Sequence, residues 1–224
     1  MIIQTQKQLD DICAKLSQKP YITIDTEFLR DKTFYSRLCL VQLAAENIDA
    51  VAIDPIEFDL DLTPFHNLMH NEAVIKVFHA ARQDLEIFYQ MNGKVPHPIF
   101  DTQVAAMVCG YGDSIAYNKL VQDITGNTLE KNAQFTDWSR RPLSSKQLTY
   151  ALNDVIYLRD VYDALEKRLI EQNRHHWLDQ EMEILVSPDT YEMPVEDMWK
   201  RIKIRSDKPE VMAILRDLAI CREN

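Results

Sequence analysis

Apolar positions near the start of the chain recur as Leu9, Ile12, Cys13 and Leu16, the i, i+3, i+4, i+7 spacing of one helix face. Thr5, followed three residues later by Gln8, supplies a capping box at the start of that helix. Pro20 ends it, and the period then changes. YITIDTEFL (21–29), SRLCLVQLA (36–44) and DAVAID (49–54) are rich in β-branched residues, are separated by short polar stretches, and predict three strands in a meander. Thr63 and Pro64 mark the N-cap and first position of a short helix through His70; AVIKVF (73–78) predicts a buried strand, and a helix from about Arg82 ends at Gly93. Beyond Asp101 the helical period dominates. Helices are predicted at 101–109 and 114–124, with a long one opening at Ser144, where Gln147 completes a second capping box, and running into the 170s.

Strands first, then interleaved helices, then mostly helices predicts an α/β domain with a mixed sheet, antiparallel at one side and helix-linked at the other. Pro188 and Pro194 mark a linker, which sets the expected division at residues 1–186 and 187–224. The second piece resumes helical periodicity over 195–220 but is too short to be stable alone.

Composition narrows the function classes. With 25 Lys and Arg against 35 Asp and Glu, the net charge of −10 excludes a protein that grips nucleic acid or anionic membrane by bulk charge, so an anionic substrate has to be managed locally. The 4 glycines form neither a GxGxxG nor a GxxxxGK[ST] run, which removes glycine-loop nucleotide cradles. No apolar run approaches the roughly 20 residues of a membrane span. Four scattered cysteines without zinc spacing, and an N-terminus unlike a secretion signal, set the expectation of a soluble, reduced, cytoplasmic chain with no membrane partner.

The chemistry concentrates in Tyr21–Leu29. In a strand, Thr23, Asp25 and Glu27 share one face, and Ile22, Ile24, Thr26 and Phe28 the other. Two carboxylates in an otherwise core-like strand repel each other and lose hydration unless a cation compensates, and no Lys or Arg lies within the run. A divalent ion is a sensible partner, and all-oxygen ligands favour magnesium or manganese over zinc. The pattern alone is weak, since D-x-E arises about once by chance in a chain of this length and occurs three times here, at Asp25/Glu27, Asp84/Glu86 and Asp179/Glu181. Only the first falls in a strand. Asp84 opens a predicted helix after a buried strand, where the helix dipole alone would favour it. Tyr150 and Asp154 lie four apart on the long helix and look out from one face; a simple surface hydrogen bond is the alternative.

Taken in order, Asp-x-Glu on a first strand, Asp at a helix start and Tyr-x-x-x-Asp on a late helix resemble the tyrosine-bearing branch of the DEDD superfamily of 3'-5' exonucleases. The blocks IDTEFLRDKTFYSRLCLVQLA (24–44), VFHAARQDLEIF (77–88), PIFDTQVAAM (98–107) and TDWSRRPLSSKQLTYALNDVIYL (136–158) resemble the ribonuclease D family. The resemblance implies a ribonuclease H-like mixed β-sheet flanked by helices. It also implies Asp25, Glu27, Asp84 and Asp154 as ligands of two divalent ions, Mg2+ or Mn2+, and Tyr150 as the residue that positions the attacking water. The implied activity is hydrolysis of RNA with a single-stranded 3' end, such as precursor tRNA tails, releasing 5'-mononucleotides. Residues 187–224 resemble the junction and opening helices of a helical HRDC module, incomplete at this length.

A basic rim for the RNA backbone is expected among Arg30, Lys32, Arg37, Lys131, Arg140, Arg141 and Lys146. Phe28 is a candidate for stacking on a terminal base, with core packing as the alternative, and His79 a candidate cleft residue. Two other readings stay open from the residues: a DNA 3'-5' exonuclease, because nothing in the chain distinguishes ribose from deoxyribose, and a catalytically silent RNA-binding scaffold.

Overall fold

The computed structural model describes residues 1–30, 35–129, 136–192, 195–202, 204 and 208–223, which divide into two compact units, Met1–Val186 and Ser187–Asn224. In the first unit β1 (Ile2–Ile3) precedes helix α1 (Gln6–Leu16), whose capping box joins Thr5 and Gln8 and whose buried face is Leu9, Ile12, Cys13 and Leu16. The meander follows as β2 (Tyr21–Leu29), β3 (Arg37–Ala45) and β4 (Ile48–Ile53). Helix α2 (Thr63–Met69) starts one residue earlier than expected, with Leu62 at the N-cap. The Asp61 carboxylate accepts from the Thr63 N–H and so takes over the capping bond that Thr63 was expected to make. Strand β5 (Ile75–Phe78), helix α3 (Arg82–Asn92), β6 (Ile99–Asp101), α4 (Thr102–Val108) and α5 (Tyr117–Thr125) lead to α6 (Ser145–Glu171), then to a 3-10 turn and α7 (Asp179–Val186).

The sheet has six strands in the order β1-β4-β3-β2-β5-β6. β2 pairs antiparallel with β3 and parallel with β5, so it is the seam between the meander and the helix-linked half. α6 lies across β2, β3 and β4, where Ala44, Ala50 and Ala52 leave room for its backbone to approach. Two polar anchors orient it: the Tyr21 hydroxyl donates to Asp163 Oδ1 at 2.9 Å, and the Thr23 hydroxyl donates to the Val155 carbonyl at 2.7 Å. Residue numbers rise along β2 as they fall along α6, which sets the next residues of that strand face, Asp25 and Glu27, against Asp154 and Tyr150. α4 and α5 pack on α6 around a core that includes Val77, Leu120, Leu158 and Leu165, where one Leu→Ala change costs about 2–5 kcal/mol.

In the second unit a 3-10 segment (Val195–Arg201) packs on α8 (Pro209–Glu223), with the Arg216 guanidinium 4.6 Å from the centre of the Trp199 ring. No helix among the described residues is long and apolar enough to cross a membrane.

Candidate active site

Asp25, Glu27 and Asp154 each offer a carboxylate oxygen, and these atoms lie within 4.8 Å of one another. They line a cavity of about 210 Å³ together with Thr26, His79, Tyr117, Tyr150 and Leu158. Alternation along β2 sends the first two to one face, and the 3.6-residue period of α6 brings Tyr150 and Asp154 to one side of that helix, where both line the same cavity. None of the ion pairs among the described residues reaches Asp25, Glu27, Asp84 or Asp154.

Burial and mutual repulsion therefore act on these acids unopposed by a paired cation among the described residues. Glu27 is pushed up to about 10 by burial first and then by Asp25, Asp154 and Asp84. Burial raises Asp154 to about 7, against the lowering influence of the neighbouring Tyr150 hydroxyl. Asp25 and Asp84 are raised well above the carboxylate range, by burial and then by Asp154 and by Asp25 respectively. A convergent all-oxygen donor set whose charge no described side chain offsets fits a hard divalent cation.

Asp84 is held differently. It lies in the first turn of α3, and its carboxylate accepts from the Thr26 hydroxyl, on the face of β2 opposite to Asp25 and Glu27. It is outside the set of three that converges, yet near enough for Asp25 to act on it. The turn that delivers it is pinned by Asp101, whose carboxylate accepts from the N–H groups of Ala80 and Ala81 at 3.0 and 2.8 Å; Ala80 there has the left-handed φ of 58°.

The other candidates separate. His79 lines the cavity, with Nδ1 3.0 Å from the Thr102 hydroxyl and Nε2 3.2 Å from the Ile115 carbonyl. Phe28 is half-buried and lines neither cavity described here. Arg140 is exposed, bonded to Asp137 at 3.1 Å, and lines a larger groove of about 880 Å³ with Lys146, Gln147, Asn153 and Tyr157; Tyr150 and Asp154 belong to both cavities. Arg30 pairs with Glu86 at 3.5 Å, and Arg37 is exposed at the start of β3. Lys32 and Lys131 lie outside the described residues.

Arg141 does not belong to a rim. All five of its N–H groups are used: two on the Asp54 carboxylate at 2.6 Å each, and three on the carbonyls of Cys39, Trp138 and Arg140 at 2.7–2.8 Å. Between Glu27 and Phe28 the pairing with β3 shifts by one, from Leu40 to Leu38, so Cys39 has no cross-strand partner; its carbonyl is one of those that Arg141 binds.

Sequence reasoning missed Tyr117, whose hydroxyl donates to the Asp154 carbonyl and whose ring centre lies 5.1 Å from that of His79. It opens α5 after an irregular loop, and no periodic signal marks it. Missed also was Gln42, fully buried in β3 beside Asp25; a polar residue inside the apolar run LCLVQLA was the available sign.

A mixed sheet flanked by helices, with carboxylates gathered beside its central seam, defines a nuclease-type hydrolase domain of the ribonuclease H-like class. The chain belongs to the 3'-5' exonuclease family, whose model matches residues 1–170. It is 51% identical over 223 residues to ribonuclease D of Bartonella henselae, a match that covers 100% of this chain and 54% of that protein. Among solved structures it is similar to Escherichia coli RNase D, described as an exoribonuclease involved in structured RNA processing, with a TM-score of 0.88, 30% identity, and coverage of 100% of this chain and 59% of that one. Brucella melitensis NrnC with bound Mg2+ superposes with a TM-score of 0.70 at 25% identity, over 86% of this chain and 93% of that one. The chain spans a little over half the length of the curated relatives it matches. The resemblance to ribonuclease D and the ribonuclease H-like fold are thus borne out.

Proposed function

We propose that this chain is the catalytic part of a 3'-5' exoribonuclease of the ribonuclease D type, which uses Mg2+ or Mn2+ to release 5'-mononucleotides from RNA with a single-stranded 3' end. The observation that carries the reading is the convergence of Asp25, Glu27 and Asp154 in a cavity where no cationic side chain among the described residues pairs with them. Those three would hold one divalent ion, and Asp84 with Asp25 a second. When bound, such ions polarise a phosphodiester, lower the pKa of water and offset charge on the leaving oxygen.

The remaining work falls to the chain. Burial and the nearby carboxylates keep the Tyr150 hydroxyl protonated at neutral pH, so it orients the attacking water as a hydrogen-bonding group rather than acting as a full base. The groove lined by Arg140 and Lys146 receives the strand, and because Tyr150 and Asp154 are common to groove and cavity, the last linkage of that strand meets the carboxylates. His79 borders the terminal nucleotide. Local cations and carboxylate-held ions together let an acidic protein bind a polyanion.

The test uses 5'-labelled RNA and matched DNA, each with a 3' tail, incubated with and without EDTA and resolved by length. The expected result is an RNA ladder that shortens from the 3' end and vanishes with EDTA. Internal cuts, or cleavage indifferent to EDTA, would overturn the reading; faster loss of the DNA would reassign the substrate.

A further inference from the structure

Gln42 is 0% exposed in the middle of β3, and neither its amide nitrogen nor its amide oxygen has a hydrogen-bond partner among the described residues. A buried amide without partners is costly, and an apolar residue of similar size would serve the core better. Its place explains why a polar residue is there. In the antiparallel register Gln42 stands directly opposite Asp25, so both side chains leave the sheet on the face that carries the acidic cavity. Directly opposed residues have Cβ atoms about 4.5–5.5 Å apart, within reach of a Gln amide and an Asp carboxylate. Its register partner on the other side, Ala52 of β4, offers no polar side-chain atom. The Asp25 carboxylate, with two oxygens, has capacity to accept a hydrogen bond from that amide.

We propose that Gln42 is a positioning residue for the metal site: with a divalent ion bound, its amide N–H, unpartnered among the described residues, would donate to one Asp25 oxygen and so keep the other turned toward the ion. Outer partners of this kind fix the orientation of a ligating carboxylate, and their loss typically weakens metal binding about 10- to 100-fold. The inference rests on the nuclease reading, and it adds a residue that touches neither metal nor substrate.

The test is Mn2+ titration of the metal-free full chain by calorimetry, with thermal melts, for wild type, Gln42→Met and Gln42→Asn. Met keeps the volume and removes the amide; Asn keeps an amide and leaves a gap. The expected result is that Gln42→Met melts at or above the wild-type temperature while binding Mn2+ about 10- to 100-fold more weakly. Gln42→Asn should melt lower yet lose less affinity. If Gln42→Met binds within twofold of wild type, or if affinity simply follows melting temperature across the three proteins, the proposal is wrong. A wild-type chain that does not bind Mn2+ would instead sink the nuclease reading itself.

Discussion

Asp54, just past the end of β4, and Asp25, in β2, are treated in opposite ways. Asp54 faces Arg141 and accepts from the N–H groups of Ile56 and Glu57 as well, so every demand of a buried carboxylate is met by the chain itself. Asp25 faces Glu27 and Asp154, with no side-chain cation among the described residues paired to it. The first arrangement is complete and holds the segment before α6 against β3 and β4. The second has no such counter-charge among the described residues, and that difference marks which acids are structural and which belong to the site.

Neutralising one acid of each kind should break the comparison most sharply. Asp25→Asn or Asp154→Asn is expected to lower the rate of nucleotide release at least a thousandfold, roughly 4 kcal/mol of transition-state stabilisation, while the melting temperature stays level or rises because repulsion is relieved. Equal activity in these variants would contradict the assignment. Asp54→Asn should do the reverse. By leaving Arg141 buried without its counter-charge it should cost about 3–5 kcal/mol in denaturant unfolding, with the surviving folded enzyme still active; an unchanged unfolding midpoint would show that the clamp carries no stability.

The division between these regions was only partly legible in the sequence. The change from a 3.6 to a 2 residue period placed the meander and the long helix, and two acids in an apolar strand exposed the charge problem at Asp25 and Glu27. Strands of two and three residues, β1 and β6, are too short to show a period. Arg141 looked like a neighbour of Arg140 on a cationic rim because its partner, Asp54, lies 87 positions away, a pairing that only folding creates. Asp84 could be placed at a helix start, but its bond to Thr26 depends on how α3 meets β2.

Smaller effects sharpen the picture. Tyr150→Phe should reduce kcat about 10- to 100-fold with little change in Mn2+ affinity, as expected for loss of an orienting hydroxyl; a mutant as fast as wild type would remove Tyr150 from the mechanism. The pH dependence of stability should also separate the regions. Because Asp154 titrates near 7 in the folded, metal-free protein against about 4 unfolded, its protonation stabilises fully below pH 4, and that contribution is lost as pH rises through 7. The metal-free wild type should therefore lose a few degrees of melting temperature from pH 5 to 8 relative to Asp154→Asn, and saturating Mg2+ should abolish the difference; parallel profiles without metal would contradict this. The smallest change is expected at the groove, where Arg140→Ala should raise KM for RNA a few-fold, an effect that fades at high salt. A salt-independent change would point to a structural role.

The most direct measurement is anomalous diffraction from crystals soaked in Mn2+. The account predicts strong anomalous peaks bounded by Asp25, Glu27 and Asp154, with Asp54 and Arg141 unmoved and bare of metal. Saturating Mn2+ with no peak among those three carboxylates, or with the ion seated elsewhere, would contradict the claim that the chain's uncompensated acids exist to hold divalent metal.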